Sequence, residues 1–476
     1  MIIKKTLFGI KTHISMSFQQ KHRLFEPVAS SVSLNAQVFN ALYWGGIFFG
    51  LALAWLFATQ QIVDGDQEQM LFNGYMGAYL GQWSSFGNAA SVVGNVPGNL
   101  LGLVVGVPLL VWDSPYAPMI FLILTRLVGF FLFDHLIKQV FTTPDGSAQI
   151  MRLSFLLLCW LNPWFLYETL LYNPSYLFFC SALHCWSAWH LRINRSFVMT
   201  LLHIIAIGLA MQLHYSWPLL VILSLMLFWQ RQIKINYWAV VAAVALIGLS
   251  LWPYLLLRMQ NEALAHNPDP AAKKRYIGYG AVHVFPVIKS YFYWLRYGSW
   301  WYPGKLVNDT AFLWVSSSIG LQLASMWLWR VMIYLAGISS LLFALWANML
   351  LAASLRGKWL RRDLLKLSAP ATPAHWLGLY ALAAVVATLV TAGLAPITFN
   401  YWHLILVFPF ALFPVLLLLR LLFKAYPNVI KLLGLGVLGF FVVVNLIVAH
   451  DSRKFSYQAN YHQQVIDYVQ KSVKPR

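Results

Sequence analysis

The sequence predicts an all-α polytopic membrane protein, and three observations carry that expectation: the composition, the length of its apolar runs, and the placement of its basic residues. Of 476 residues, 60% are hydrophobic, 16% aromatic and only 10% charged. A soluble domain is roughly half apolar and about a quarter charged. The formal charge of +19 could suit nucleic acid, but such a protein gathers its cations on one soluble face. Here lysines and arginines punctuate apolar runs instead, so no nucleic-acid partner is expected. Cys159, Cys180 and Cys185 are odd in number and lie inside apolar segments, which suggests neither a disulfide framework nor a thiolate metal site.

Runs near the roughly 20 residues that cross a bilayer occur at 38–59, 120–137, 153–171, 176–191, 197–213, 217–229, 237–257, 331–355, 376–394, 402–419 and 432–449. This gives a bundle of about eleven transmembrane helices. The first run follows Lys4, Lys5, Lys11, Lys21 and Arg23 and lacks a small-residue cleavage site. It reads as an uncleaved anchor whose start is cytoplasmic.

Segment 97–112, "PGNLLGLVVGVPLLVW", decides the parity. It is short and broken by glycine and proline, and is expected to be re-entrant or interfacial. If it does not cross, Lys138, Arg152, Arg192, Arg195, Arg231, Lys234 and the cluster "RGKWLRRDLLK" lie in short inner loops, while the short outer loops near 172–175, 214–216 and 395–401 hold no cation. That is the distribution the positive-inside tendency favours. The same rule leaves 311–329 outside as a surface or partly embedded helix.

One continuous membrane domain, 1–476, is therefore expected. Its first outer loop covers 60–119, a long outer loop 258–330, and a polar outer tail 450–476. Interfacial helices in these loops would roof one face. "VDGDQE" places Asp64, Asp66 and Glu68 at the mouth of the first span in a chain with only 14 acidic residues. "YETLLYNPS" brings Glu168 and Asn173 to the same side, "QLHYSW" brings His214, and "TFNYWH" brings Tyr401 and His403. Polar residues at a membrane edge are costly and mark function by default.

The long loop sets Arg258, Lys289 and Arg296 among nine tyrosines and tryptophans between Tyr276 and Tyr302. Amphipathic rings settle at headgroup depth, and cations there attract phosphates. Basic aromatic loops over an acidic mouth suit a lipid-borne phosphate ester whose leaving group is stabilised while a carboxylate activates an acceptor. That division of labour is glycosyl transfer from a polyprenyl phosphate.

At these residues the chain resembles the GT-C superfamily of lipid-dependent glycosyltransferases, in the branch related to protein O-mannosyltransferases and aminoarabinose transferases. The landmarks are "VDGDQE", "LTRLVGFF" with Arg126, "LNPWFLYETLLYNPS", "MQLHYSWPL" and "TFNYWHLILVFPF", in that order along most of the chain. The resemblance implies a GT-C-like bundle and a first-loop aspartate, Asp64 or Asp66, as base, with Glu68 beside it. It also implies outer-loop cations on the donor phosphate, for which Arg126, Arg258, Lys289 and Arg296 are the candidates. Glu168, Asn173, His214, Tyr401 and His403 are candidates for an acceptor or sugar pocket.

Arginine forks suit a departing phosphate, and one displacement with a base and no covalent nucleophile implies inversion. Oxygen ligands from Asp64 and Asp66 suit a divalent cation, which three acids do not require, and no other cofactor is expected. The partners expected are an undecaprenyl-type phosphate-linked sugar, membrane lipids, and an envelope acceptor such as lipid A, a glycan or a protein. The place expected is the bacterial inner membrane, with the site on the periplasmic or extracellular side. Rival classes are a secondary transporter or lipid-linked glycan flippase, and an O-antigen polymerase or ligase. A transporter would carry ionisable groups in mid-membrane and show inverted repeats.

Overall fold

The computed structural model describes residues 25, 35–59, 65–90, 94–142, 147–260, 284–300, 318–359, 372–395 and 399–450. Fifteen α-helices are named here: α1 (Ala36–Thr59), α2 (Gly65–Leu80), α3 (Leu100–Val111), α4 (Ala117–Val140), α5 (Ser147–Phe155), α6 (Pro163–Tyr167), α7 (Leu177–Leu191), α8 (Phe197–Leu213), α9 (Pro218–Trp229), α10 (Tyr237–Gln260), α11 (Val284–Tyr297), α12 (Ile319–Trp359), α13 (Pro373–Leu394), α14 (Phe408–Ala425) and α15 (Pro427–His450). A two-stranded antiparallel hairpin, β1 (Phe86–Ala90) and β2 (Gly94–Pro97), lies between α2 and α3. Tyr401–Val407 is a 3-10 segment that runs into α14.

The protein is an all-α polytopic membrane fold. Among the described residues, seven helical stretches are long and apolar enough to cross a bilayer: Ala36–Thr59, Ala117–Val140, Tyr237–Gln260, Ile319–Leu355, Pro373–Leu394, Tyr401–Ala425 and Pro427–Val448. The remaining expected spans are the shorter α7, α8 and α9 and one broken segment.

Burial orders them. The most apolar 18-residue window of Tyr401–Ala425 is 94% buried residues and forms the axis of the bundle, whereas that of α10 is 11% and faces its surroundings. Leu412, Phe413, Leu416 and Leu417 of α14 are fully buried, and α14 packs against α12, α13, α15 and α11.

Two expectations are corrected. The run 153–171 is no single helix. A π-turn at Leu156–Trp160 follows α5, and the chain breaks at Asn162 before Pro163 opens α6. Proline has no N–H to continue the ladder, and carbonyls exposed in an apolar interior need partners. Asn162 Nδ2 donates to the Leu158 carbonyl at 3.0 Å, and Asn445 Nδ2 reaches the Leu161 carbonyl at 3.3 Å.

The piece 311–329 is not separate from the span after it, because from Ile319 it is the first part of the 41-residue α12. No glycine or proline falls between Leu321 and Val331 to stop the helix. Residues 311–317 lie outside the described residues.

Segment 97–112 forms α3, twelve residues long. At 1.5 Å per residue it reaches about 18 Å, and Pro108 falls inside it. It packs closely against α2, because a Cβ on Gly74 would meet Val105 at 2.5 Å and one on Gly106 would meet the Gly74 carbonyl at 2.7 Å. The tail 451–476 is outside the described residues.

The two ends of the bundle differ. At one end, Asp134 and Arg152 pair at 2.7 Å with Arg152 over the Tyr43 ring at 4.5 Å, and Lys234 Nζ donates to the Ile193 carbonyl at 2.8 Å. At the other end are α2, the hairpin, α6, the 3-10 turn Asn173–Tyr176, the turn after α8, the 3-10 segment before α14, and α11. Among these, α2 contacts the hairpin and the 173–176 turn, that turn contacts the 401–407 segment, and the 401–407 segment contacts α11.

Candidate active site

The acidic motif opens a helix, for the chain is helical from Gly65. Residues two apart on a helix are turned by about 200°, so Asp66 and Glu68, both exposed, diverge around the buried Gln67. Asp64 lies outside the described residues. Carboxylates at the first turn of a helix also suit its positive dipole end.

The hairpin holds that turn. Asn88 Nδ2 donates to the Asp66 carbonyl at 2.6 Å, and the Ala89 N–H donates to Gln69 Oε1 at 2.9 Å. Gly98, at φ +78°, turns the chain from the hairpin toward α3 where a Cβ would collide with Gln212 Oε1 at 2.4 Å. Asn88 and Gln69 were not singled out from sequence. Asparagine in a short strand carries no distinctive signal.

The α6 turn lies between two arginines. Asn162 accepts the Trp164 N–H at 2.9 Å and starts the helix. Arg126, on α4 and 2% exposed, donates to the Phe165 carbonyl and stacks its guanidinium 3.8 Å from the Phe165 ring centroid. Arg296, on α11, stacks 4.5 Å from the Trp164 ring. Glu168 ends α6, is 2% exposed, and acts electrostatically on both Arg126 and Tyr297. Arg126 therefore sits nine residues inside its helix.

The segment 400–403 joins the aromatic and basic parts. Tyr401 meets Trp164 edge-on at 4.6 Å, and its carbonyl accepts from the Tyr297 hydroxyl. Lys289 Nζ donates to Asn400 Oδ1 at 2.7 Å. The Asn400 N–H donates to His403 Nδ1 at 2.9 Å, within a reciprocal cap in which the His403 N–H reaches the Asn400 side chain. His214, in the turn after α8, meets the His403 ring edge-on at 5.3 Å. Burial holds the His214 imidazole well below its ordinary pKa, with the His403 charge adding to the effect, and burial also lowers Lys289.

Asn173 donates from Nδ2 to the Leu213 carbonyl at 3.2 Å, and Ser175 Oγ to the Glu168 carbonyl at 2.6 Å. These bonds fix the 3-10 turn between α2 and the 401–407 segment. Of the expected pocket residues, Glu168, His214, Tyr401 and His403 thus collect with Lys289, Arg296 and Arg126, while Asn173 ties the frame together.

Arg258 stands apart. It is exposed on α10, and its charge acts on Tyr215, whose hydroxyl donates to the Asn95 carbonyl at 2.6 Å. The expected phosphate-binding set is divided, with Arg258 on the hairpin side and Lys289 and Arg296 on the α6 side. Trp164, Tyr293 and Tyr297 belong to the latter group. Their aromatic enrichment was visible in sequence, but their pairing was not. Among the described residues, no three His, Cys, Asp or Glu side chains gather to hold a metal ion.

No protein-family model matches the chain, and no curated protein matches it in sequence. A solved structure, ArnT from Cupriavidus metallidurans bound to undecaprenyl phosphate, aligns over 91% of this chain and 77% of that one, with a TM-score of 0.47 and 10% identity. At that score and identity the likeness carries no conclusion about activity.

Proposed function

We propose that this chain is an inverting membrane glycosyltransferase that moves a sugar from a polyprenyl phosphate to an envelope acceptor, a lipid A, glycan or protein hydroxyl. The reading rests on one observation: the 400–407 segment touches both the cation-bearing α11 and the 173–176 turn, which in turn contacts the acid-bearing α2. That chain of contacts supports a reading in which carboxylate, arginine and aromatic rings work together at a single end of an apolar bundle.

In the proposed reaction the acceptor oxygen attacks the anomeric carbon as the bond to the phosphate oxygen breaks. Asp66, or Asp64 beside it, takes the acceptor proton. Lys289 and Arg296 face the leaving phosphate, and Arg126 steadies α6 and the Glu168 charge from behind. Glu168 and Tyr401 border the sugar, and Arg258 meets the donor from the hairpin side. A positioned base contributes roughly 100- to 10,000-fold, and cations placed where charge develops contribute a similar order.

The opposite end carries Arg152 in α5 and Arg192 and Lys234 in short connections, and the positive-inside tendency supports a site on the periplasmic or extracellular side of a bacterial inner membrane. The buried pair His184 and His203, inside the bundle, is the observation that favours a transporter instead.

One experiment separates the two. Purified protein is given radiolabelled polyprenyl-phosphate sugar with an envelope acceptor fraction, and separately reconstituted in liposomes. Label transferred to acceptor and abolished in Asp66→Asn or Asp64→Asn supports the enzyme. Label crossing the bilayer with its sugar-phosphate bond intact overturns it.

A further inference from the structure

His214 and His403 are fixed in one tautomer each, and the cause is the backbone. A main-chain N–H can only donate, so the ring nitrogen that receives it must carry its lone pair. The Ser216 N–H donates to His214 Nδ1 at 3.1 Å, and Ser216 Oγ lies 2.9 Å from the same atom. The Asn400 N–H donates to His403 Nδ1 at 2.9 Å. In both neutral rings the proton therefore resides on Nε2.

Neither Nε2 has a hydrogen-bond partner among the described residues. His214 is 8% exposed as a residue, so its ring is held in place by its surroundings while its Nε2–H is left to offer. The two rings meet edge-on at 5.3 Å, and Lys289 is bound to the Asn400 that caps His403. Two neutral N–H donors and an ammonium thus share one neighbourhood.

We propose that His214 and His403 are hydrogen-bond donors to the phosphate of a prenyl carrier, with Lys289 supplying the charge. This moves both histidines from the sugar and acceptor pocket to the leaving group, and it rests on the transferase reading above. The same tautomers exclude two other roles. An Nε2 that carries a proton neither accepts one from an acceptor hydroxyl nor ligates a cation, so the base remains a carboxylate. Neutral donors also suit a leaving phosphate in an apolar setting, because they stabilise its charge without each bringing a cation that must itself be desolvated.

Nitrogen NMR of the full chain in detergent, labelled at histidine and assigned with single His214→Gln and His403→Gln variants, tests this. Both rings are expected to show a protonated Nε2 and a bare Nδ1. Both Nε2–H signals are expected to shift on addition of farnesyl phosphate and to stay still with farnesol. A protonated Nδ1 in either ring, or no response to farnesyl phosphate, overturns the proposal. An equal response to phosphatidylglycerol overturns the prenyl carrier as the source.

In binding assays His403→Phe is expected to weaken farnesyl phosphate by roughly tenfold to a hundredfold, the range for a hydrogen bond to a charged group. His403→Gln, which keeps an N–H near the Nε2 position, is expected to recover most of it. Unchanged binding in a well-folded His403→Phe protein overturns the proposal. The wild-type spectra stand independently of whether any variant folds. If the histidines respond to phosphate while no sugar is ever transferred, the transferase reading alone fails. If transfer proceeds and the histidines ignore phosphate, this inference alone fails.

Discussion

The protein holds two histidine pairs, and they differ in what their nitrogens have left over. In the bundle interior, His184 and His203 lie 4.1 Å apart between α7, α8, α9 and α13. His184 Nδ1 meets the Tyr380 hydroxyl at 2.8 Å, and His184 Nε2 and His203 Nε2 both meet Ser224 Oγ, at 2.8 and 3.0 Å. His203 Nδ1 lies 3.1 Å from Ser187 Oγ and 3.2 Å from the His184 carbonyl. All four ring nitrogens are engaged by the protein.

At the site end, His214 and His403 each spend one nitrogen on their own turn and keep the other. Burial alone does not separate a structural histidine from a functional one, whereas the inventory of partners does. The interior pair binds four helices together. The outer pair is positioned by its turns and left with donors to offer.

This contrast makes opposite demands on mutants at the two locations, and the largest effect is expected at the acidic motif. Asp66→Asn should lower transfer by roughly 100- to 10,000-fold while leaving the thermal unfolding transition in place, since Asp66 is exposed. A variant that loses stability in step with activity would erase the distinction between the two ends.

Arg296→Ala should raise the apparent KM for the polyprenyl-phosphate donor by roughly tenfold to a hundredfold. Arg296→Lys should restore only part of this, because a lysine does not reproduce the planar stack on Trp164. Full rescue by lysine in steady-state kinetics would mean that charge alone matters there.

The interior pair should respond in the other sense. His184→Leu leaves Ser224 and Tyr380 short of a partner and should cost about 1–3 kcal/mol in detergent unfolding, with interhelical bonds in membranes at the lower end. The donor KM of the folded fraction should be unchanged. A raised KM with unaltered stability would move His184 into the reaction.

The smallest effect concerns pH. Burial lowers Lys289 from the ordinary lysine value of 10.5, so its folded pKa lies below its unfolded one. The unfolded chain then binds more protons between the two values, and stability rises with pH across that window. Phosphate affinity moves oppositely, because the ammonium is lost as pH climbs through the lowered value. Donor binding should therefore decline a few-fold at a pH below that of an unperturbed lysine, and Lys289→Arg should shift the decline upward. A decline that stays put in Lys289→Arg assigns it to another group.

Most of the architecture was legible because a bilayer constrains sequence severely. Long apolar runs name their helices, and α1, α4, α7, α8, α9, α10, α13 and α15 fall where the runs do, while the run 402–419 begins in the 3-10 segment and ends inside α14. The broken third span was harder, since "CWLNPWF" is apolar enough to resemble a continuous helix. Its interruption depends on Asn445, almost three hundred residues away, reaching the freed Leu161 carbonyl. The acidic motif was visible as chemistry, but the grip on its first turn was not, because the Asn88 bond to the Asp66 carbonyl is a tertiary contact.

By itself, then, the sequence determined the fold class, the apolar length of most helices, the segregation of basic residues to one set of loops, and the short motifs that carry the polar side chains. These depend on transfer of each segment from water to lipid, a local property summed along the chain. Only the tertiary structure decided that Arg258 stands apart from Arg296, that two arginines enclose α6, and which nitrogen of His214 and His403 is left free. Such facts arise from hydrogen bonds and ring contacts between residues distant in sequence, whose directions no run of letters encodes.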